Sequence, residues 1–306
     1  MTEEQLHFLR SCLNNGKGGD HMSPTQIGKY KTMSDWCVEY LAMDQDQRRK
    51  EKKKYKVGFG AVVGNVAQKM TSKYIFEGPD KVAIKEQKIE DAFEEENKTY
   101  VSEPFDDEDK KIRLMLADIA MEQTKNAIRA YKEVFGHQPT QSERYVHTSP
   151  EGLFVDIIGR LDWESGLSTL ELKSKPPSVR WFEPKRGDAG YRVYTQTIPK
   201  DPSKNIDQVA FYYAATKKEP HICYVNEKEY VIFDSSHDML RPDYLEEVYQ
   251  QMLNKAFKIQ KLLILSNGDP KEFASLTDMP DLTSWMYQDA SEEKKQLVKE
   301  LWMNKQ

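Results

Sequence analysis

Three side chains that could act together in catalysis, Asp162, Glu171 and Lys173, lie on two short apolar runs near the middle of the chain. The first run covers residues 153–163 and is rich in β-branched and aromatic residues, and the second covers residues 167–173. Both compositions are typical of buried or half-buried β-strands. The three side chains are therefore expected on neighbouring strands.

The segment Glu164-Ser165-Gly166 between the two runs has the composition of a hairpin turn. Side chains alternate between the two faces of a strand, so Glu171 and Lys173 should share one face while the leucines beside them take the other. Asp162, at the end of the neighbouring strand, can then reach Glu171 across the pair.

Two carboxylates that converge with one lysine are suited to metal-assisted cleavage of a phosphodiester. Mg²⁺ prefers one or two carboxylates together with water and the phosphate oxygens of a substrate. The metal activates a water and stabilises the charge that develops on the phosphoryl oxygens, while the lysine positions or deprotonates that water or pairs with the phosphate. The alternative is a charged hairpin edge whose acidic and basic residues only contact solvent.

A helix is expected after these strands, beginning near Asp207, and it places Gln208 and Tyr212 one turn apart on one face. In chain order the motifs are Gly159-x-x-Asp162, Glu171-x-Lys173 and Gln208-x-x-x-Tyr212. This series resembles the PD-(D/E)XK nuclease superfamily. Within it, the series is similar to the RecB-type branch, which includes phage exonucleases, the CRISPR adaptation nucleases and the mitochondrial genome-maintenance exonuclease. Each motif alone is weak, whereas their order and spacing are fairly specific together.

The resemblance implies an α/β fold with a restriction-endonuclease-like core, in which helices flank a central mixed β-sheet, together with an N-terminal helical region. It also implies a Mg²⁺- or Mn²⁺-dependent deoxyribonuclease in DNA recombination, repair or degradation, acting as an exonuclease on single strands or duplex ends. A structure-specific endonuclease and a catalytically inactive DNA-binding module of the same fold remain alternatives. A phage origin is a further implication of the resemblance.

By the same resemblance, Asp162 and Glu171 bind the metal with help from the backbone carbonyl of Leu172. Lys173 positions the attacking water. The residues expected to orient Lys173 and the DNA backbone are Gln208 and Tyr212.

RecB-type enzymes often carry a histidine metal ligand in a G-x-x-x-H motif on an N-terminal helix, and the matching positions here are Gly64 and Gln68. Glutamine can offer a carbonyl oxygen to a hard cation but is a poor ligand for softer metals. Gln68 is therefore assigned to the metal site, although the replacement of histidine leaves a direct bond to the metal open.

Some RecB-type relatives hold an iron–sulfur cluster on four cysteines. The three cysteines here, Cys12, Cys37 and Cys223, are too few and too widely spaced for that set, so no cluster is expected. Cys37 lies where such relatives place the first ligand, and its other interpretation is a small buried hydrophobe. The odd number also argues against a disulfide framework and fits a reducing compartment.

Two basic segments are candidate contacts to a DNA backbone: residues 48–56 and residues 174–206. In the second segment, basic residues are interleaved with aromatic ones, a pattern suited to phosphates and unpaired bases, and so long a loop is unusual unless it is functional or disordered. The other interpretation is a solvated loop or helix end for the first segment and a mobile surface insertion for the second. The residues assigned to DNA binding are Arg48, Arg49, Lys52, Lys53, Lys175, Arg180, Arg186 and Arg192.

The 306 residues are 38% hydrophobic and 31% charged, with a net charge of −5, which indicates a well-solvated surface and no global attraction to nucleic acid. No apolar run of about 18 residues is present, so no membrane span is expected. The first residues lack the basic and apolar regions of a secretory signal. The predicted location is therefore cytoplasmic, or the cytoplasm of the host if the origin is a phage.

Three segments are predicted: an N-terminal helical region (1–109) that forms part of the DNA channel, the nuclease core (110–265) and a C-terminal helical tail (266–306). The tail could pack on the core or meet a protein partner. Periodicity and turn residues predict helices over residues 3–13, 24–43, 110–135, 208–216 and 243–264. They predict further strands over residues 143–147, 220–226 and 229–234.

Overall fold

The structure, a computed structural model, describes residues 2–13, 21–29, 32–54, 59–77, 91–92, 95, 107–136, 140–182, 190–288 and 290–303. Its helices are α1 (Glu3–Leu13), α2 (Pro24–Lys29), α3 (Met33–Trp36), α4 (Gln45–Lys54), α5 (Phe59–Glu77), α6 (Asp107–Phe135), α7 (Ile206–Thr216), α8 (Pro242–Leu265), α9 (Pro270–Ser275), α10 (Trp285–Gln288) and α11 (Glu292–Trp302). Its strands are β1 (His21–Met22), β2 (Gln141–Thr148), β3 (Asp156–Glu164), β4 (Ser168–Ser174), β5 (Ser178–Phe182), β6 (Gly190–Tyr194), β7 (Glu219–Val225) and β8 (Tyr230–Phe233). A π-helical segment, Cys37–Ala42, follows α3, and 3₁₀ turns cover Ser203–Asn205 and Asp238–Leu240.

The main sheet has the order β1-β3-β4-β7-β8, and β2 lies along the other edge of β3. The β1–β3 and β4–β7 pairs are parallel. The β2–β3, β3–β4 and β7–β8 pairs are antiparallel. The predicted α/β class with a mixed sheet is therefore confirmed.

Helices cover both faces of this sheet because its central strands are apolar on both sides. Leu170 and Leu172 face α6, in a cluster with Trp163 and Phe135. On the opposite face, residues such as Ile157 join a second, larger cluster with α7 and α8. The alternation predicted for β4 is thus present, and it leaves Glu171 and Lys173 on the α7 side.

Residues from all three predicted segments contribute to the larger cluster. Leu9 and Trp36 come from the first segment, Phe211 from the second, and Tyr287 and Trp302 from the third. Of the two possibilities for the tail, packing on the core is the one observed within the described residues. Every helix in those residues is too short or too polar to span a bilayer.

The predicted helix over residues 24–43 is wrong in one respect, because it is divided into α2, α3 and the π-helical segment. Thr32 begins a new helix: its hydroxyl accepts the amide of Asp35, and the carboxylate of Asp35 accepts the amide of Thr32. Such a capping box satisfies amides that a continuous helix would have paired internally.

The segment 174–206 also differs from the long loop that was predicted, because it contains the antiparallel β5–β6 pair as a separate two-stranded sheet. Its strands carry part of the interleaved aromatic and basic residues that were interpreted as a binding surface. Aromatic residues are also favoured in strands.

Replacing Trp302 by alanine tests the packing of the tail. Its indole is 7% exposed and donates to the carbonyl of Thr277 at 3.1 Å. Loss of a buried tryptophan typically costs about 3–5 kcal/mol, so we expect Trp302→Ala to lower the free energy of unfolding in urea by about 3 kcal/mol. The neighbouring Met303, which is 62% exposed, is the control, and Met303→Ala should change it by less than about 0.5 kcal/mol. Equal stabilities of the two variants would show that the tail does not complete the core.

Candidate functional site

The strands β3 and β4 pair only beside their turn and then separate. The last pair before they separate joins Trp163 to Leu170. Two residues further along β4, the amide of Leu172 donates to Oδ2 of Asp162 at 2.8 Å, where a regular antiparallel ladder would offer a main-chain carbonyl. A carboxylate therefore closes the narrow end of a gap between two strands.

The other oxygen of Asp162 is bound from α5. Nε2 of Gln68 donates to Oδ1 of Asp162 at 2.6 Å. An ionised carboxylate only accepts hydrogen bonds, so the amide nitrogen of Gln68 must face it. Gln68 therefore lies in the predicted site, where its side-chain nitrogen contacts the carboxylate of Asp162.

Glu171, Lys173, Gln208 and Tyr212 form one chain of hydrogen bonds across β4 and α7. Nζ of Lys173 donates to Oε1 of Glu171 at 2.5 Å and to Oε1 of Gln208 at 2.8 Å. Nε2 of Gln208 donates to the hydroxyl of Tyr212 at 2.8 Å, and that hydroxyl donates to the carbonyl of Arg160 at 2.6 Å. Because lysine only donates, the direction of every bond in the chain is fixed.

Gly159 explains how α7 comes close enough for these bonds. A Cβ atom at this position would lie 2.6 Å from Cε1 of Phe211 and 2.9 Å from Cε1 of Tyr212. Distances below about 3 Å cannot be accommodated without movement, so any larger residue would displace the helix that carries Gln208. The glycine of the Gly159-x-x-Asp162 motif therefore has a packing role.

The two carboxylates lie close together, Glu171 buried and Asp162 half-buried, and both are harder to ionise than free carboxyl groups. Burial, followed by the negative charge of Glu171, raises the pKa of Asp162 well above its ordinary value. Burial also raises the pKa of Glu171, against the opposing charge and hydrogen bond of Lys173. Their ionised forms therefore require more positive charge than Lys173 supplies.

The donor atoms present fit a hard divalent cation. Oε2 of Glu171 is buried and has no hydrogen-bond partner within the described structure, an arrangement that is costly without a cation. On an extended strand the N–H and the carbonyl of one residue point to the same side, so the carbonyl of Leu172 faces the gap beside Asp162. The described part of the chain gathers no group of three or more histidine, cysteine, aspartate or glutamate residues. Mg²⁺, which keeps several waters, is suited to so small a set of protein ligands.

An open cavity of about 400 Å³ adjoins the carboxylates, between α5 and the end of β4. Gly64 lets these elements approach, since a Cβ atom there would lie 3.0 Å from Cβ of Ser174. The cavity is lined by Gly64, Asn65, Gln68, Leu172, Lys173, Ser174 and Pro176. It gives solvent access to the lysine and to the gap.

Gln123, which was not predicted as a site residue, holds the end of β4 in place. This fully buried residue of α6 accepts the hydroxyl of Ser174 at 2.7 Å and donates to the carbonyl of Lys175 at 3.4 Å. A signal was present, because Gln123 lies one turn from Ile119 and Ala120 on the apolar face of the helix. A polar residue at a buried helical position requires a partner.

The residues assigned to DNA binding are dispersed. Nη1 of Arg48 donates to the carbonyls of Glu39 and Tyr40, at the end of the π-helical segment, at 3.1 and 3.4 Å. The guanidinium of Arg192 lies 3.6 Å from the centre of the Phe182 ring on the β5–β6 hairpin.

Four more residues of that set are described only by the position of their backbone. Arg49, Lys52 and Lys53 belong to α4, and Arg180 belongs to β5. Arg186 lies outside the described residues, and Lys175 lies beside the cavity at the end of β4.

Comparison of the chain with protein-family models, with curated proteins and with solved structures gave no match.

Replacing Asp162 by asparagine tests the repulsion between the two carboxylates. A raised pKa means that the native state holds a proton that the unfolded chain releases. The contribution of Asp162 and Glu171 to the free energy of unfolding should therefore fall as the pH rises from the ordinary carboxyl range through their raised pKa values. At pH 7.5 without metal, Asp162→Asn should raise Tm, by roughly 2 °C for each kcal/mol of relief. Asp118→Asn, which removes an exposed charge on α6, should leave Tm unchanged.

The same thermal measurement distinguishes a metal site from a merely strained pair. Mg²⁺ should raise the Tm of the wild type, since a ligand that binds only the native state stabilises it, and should leave Asp162→Asn almost unaffected. A wild-type Tm that is insensitive to Mg²⁺ and Mn²⁺ would count against a metal at Asp162.

Proposed function

We propose that the protein is a Mg²⁺- or Mn²⁺-dependent deoxyribonuclease of the PD-(D/E)XK kind, acting as an exonuclease. The observation that carries this proposal is the convergence of Asp162, Glu171 and Lys173 at one opening of the sheet. A buried carboxylate, a half-buried carboxylate and a lysine beside an open cavity are the groups that hydrolysis of a phosphodiester needs.

A divalent cation held by Asp162, Glu171 and the carbonyl of Leu172 would supply a water of lowered pKa and stabilise the charge on the phosphoryl oxygens. Gln68 keeps Asp162 in place through its hydrogen bond. This contact gives the glutamine a positioning role in the proposed site whether or not its own oxygen reaches the metal.

Lys173 has the role of orienting the nucleophile. Its ammonium group has three donors, and bonds to Glu171 and Gln208 use two of them. The third can be given to a water or to an oxygen of the scissile phosphate. Gln208 is itself held by Tyr212, so the lysine can turn away only by losing its bonds to Glu171 and Gln208. This restraint favours catalysis by orientation.

Two alternatives belong to the same fold. A structure-specific endonuclease would use the same metal site on an uninterrupted strand. A DNA-binding module without activity would not need an intact Asp162, Glu171 and Lys173 set. Holding these charged groups together away from water costs free energy and gives such a module no advantage.

Lys173→Ala is the direct test of activity. We expect the rate of degradation of labelled linear DNA in Mg²⁺ to fall by about a thousandfold or more, because oriented charge in a buried site contributes on this scale. Mn²⁺ should also support cleavage by the wild type, and binding measured in Ca²⁺ should be nearly unchanged. Lys258→Ala removes an exposed lysine on α8 and should retain full activity. More than a tenth of the wild-type rate in Lys173→Ala would exclude the assigned role.

A circular substrate separates the exonuclease from the endonuclease. If the strand must enter by a free end, circular single-stranded DNA should persist under conditions in which linear DNA of the same sequence is degraded. Gel analysis of both substrates over the same time course makes the comparison. Equal rates would favour the endonuclease and leave the proposed metal site unchanged.

A further inference from the structure

Lys175 lies beside the cavity on the same side of the sheet as Lys173. Its amide donates to the carbonyl of Val225 at 2.7 Å, which extends the pairing of β4 with β7 by one residue. Its half-buried side chain places Nζ 5.1 Å from the centre of the Tyr224 ring. Lys173 is the residue of β4 in register with that tyrosine. The two lysines therefore follow one another along a single face.

The same tyrosine brings a third lysine close. The hydroxyl of Tyr224 donates to Oδ1 of Asn205 at 2.8 Å, and Asn205 ends the 3₁₀ turn that contains Lys204. Tyr224 is fully buried, so its ring and hydroxyl are fixed points. Lys204 therefore precedes the asparagine that is bonded to Tyr224, and Lys175 lies over the ring of the same tyrosine.

Lys175 is in a positively charged and partly dry environment. Burial, followed by the charges of Lys204 and then Lys173, lowers the pKa of Lys175. Lys173 has Glu171 as its partner, whereas neither Lys175 nor Lys204 takes part in an ion pair among the residues that the structure describes. Two positive charges held close together without a counter-ion raise the free energy of the native state, and a bound anion would lower it.

Asp201 lies near Lys204 but forms no ion pair with Lys204 or Lys175 among the described residues. The carboxylate of Asp201 accepts the amide of Ser203 at 2.9 Å. Hydrogen bonds from Ser203 are the main reason that the pKa of Asp201 is lowered, and the charges of His237 and Lys204 contribute less. Asp201 therefore supports the turn that carries Lys204.

We propose that Lys175 and Lys204, supported by Tyr224, form a phosphate-binding subsite next to the carboxylate pair. This inference rests on the proposed function. The subsite would hold a phosphate of the nucleic-acid strand adjacent to the one under attack. That phosphate is either an internal diester or a terminal monoester, which share the same anionic oxygens.

Spacing along the strand favours a neighbouring phosphate over a second contact to the same one. Side chains two residues apart on a strand are separated by about 6.6 Å, so Lys173 and Lys175 do not converge on one phosphate as a pair of adjacent donors would. Lys173 and the carboxylates contact the scissile phosphate, through the metal in the case of the carboxylates. Lys175 and Lys204 bind the next phosphate along the backbone, and this second contact determines how far the strand advances into the site.

Binding measured without catalysis tests the subsite. Fluorescence anisotropy in EDTA gives the Kd of a labelled single-stranded oligonucleotide for the wild type and for Lys175→Ala/Lys204→Ala. We expect Kd to rise about tenfold, and the slope of log K against log salt to fall by about 0.7 for one lost phosphate contact on a single strand. The double variant Lys258→Ala/Lys261→Ala, which removes two exposed lysines from α8, should match the wild type.

Three forms of the oligonucleotide identify the phosphate. An equal loss with 5′-phosphorylated, 3′-phosphorylated and unphosphorylated strands would assign the subsite to an internal diester. A loss confined to one phosphorylated end would assign it to that terminal monoester. Lys175→Arg should restore most of the affinity, because it keeps the charge.

Unchanged Kd and salt slope in the Lys175→Ala/Lys204→Ala variant would overturn the subsite, as would the absence of any wild-type binding. If the double variant does not fold, Lys204→Ala alone decides, since its side chain is exposed and removal leaves the core intact. Cleavage of DNA with normal binding by the variants would remove the subsite and keep the nuclease. Weakened binding in a protein that cleaves nothing would keep the subsite and remove the nuclease.

Discussion

The hydrogen bond from the amide of Leu172 to the carboxylate of Asp162 is the interaction on which the arrangement of the site depends. A regular β3–β4 ladder would fill this space with main-chain atoms, and no cavity could exist there. Since the carboxylate takes the place of a main-chain acceptor, the strands can separate while the amide keeps a partner. The separation in turn leaves Glu171 facing a gap with one of its oxygens unsatisfied.

Three helices around the sheet maintain that separation. On one face α7 approaches through Gly159 and supplies Gln208. The helices α5 and α6 pack on each other at the end of β4, where α5 approaches through Gly64 and supplies Gln68, and α6 holds Ser174 through Gln123. Each approach depends either on a glycine, which has no side chain, or on a buried glutamine. The helices that position the polar groups of the site are themselves held by apolar packing.

Sequence patterns predicted the parts of the site whose geometry is local. Alternation along β4 placed Glu171 and Lys173 together, and one helical turn placed Gln208 beside Tyr212, because both relations follow from the repeat of a single element. The contact of Gln123 with Ser174 joins elements that are far apart in sequence. Contacts of that kind depend on the sheet order, which local patterns do not contain. The division of the predicted helix at Thr32 was missed for another reason, since the capping box competes locally with a continuous helix.

The large apolar cluster has a consequence for how the chain is made. Leu9 and Trp302 belong to this one cluster, and β1 pairs with β3 through His21 and Asp156, which are far apart in the sequence. A ribosome that adds about 5–20 residues each second completes such a cluster only after most of the chain has emerged. Contacts between distant residues also slow folding, because loop closure precedes the gain from the contact. The acidic pair on β3 and β4 therefore leaves the ribosome well before its supporting core can close. During that interval the nascent chain exposes apolar surface that chaperones are suited to cover.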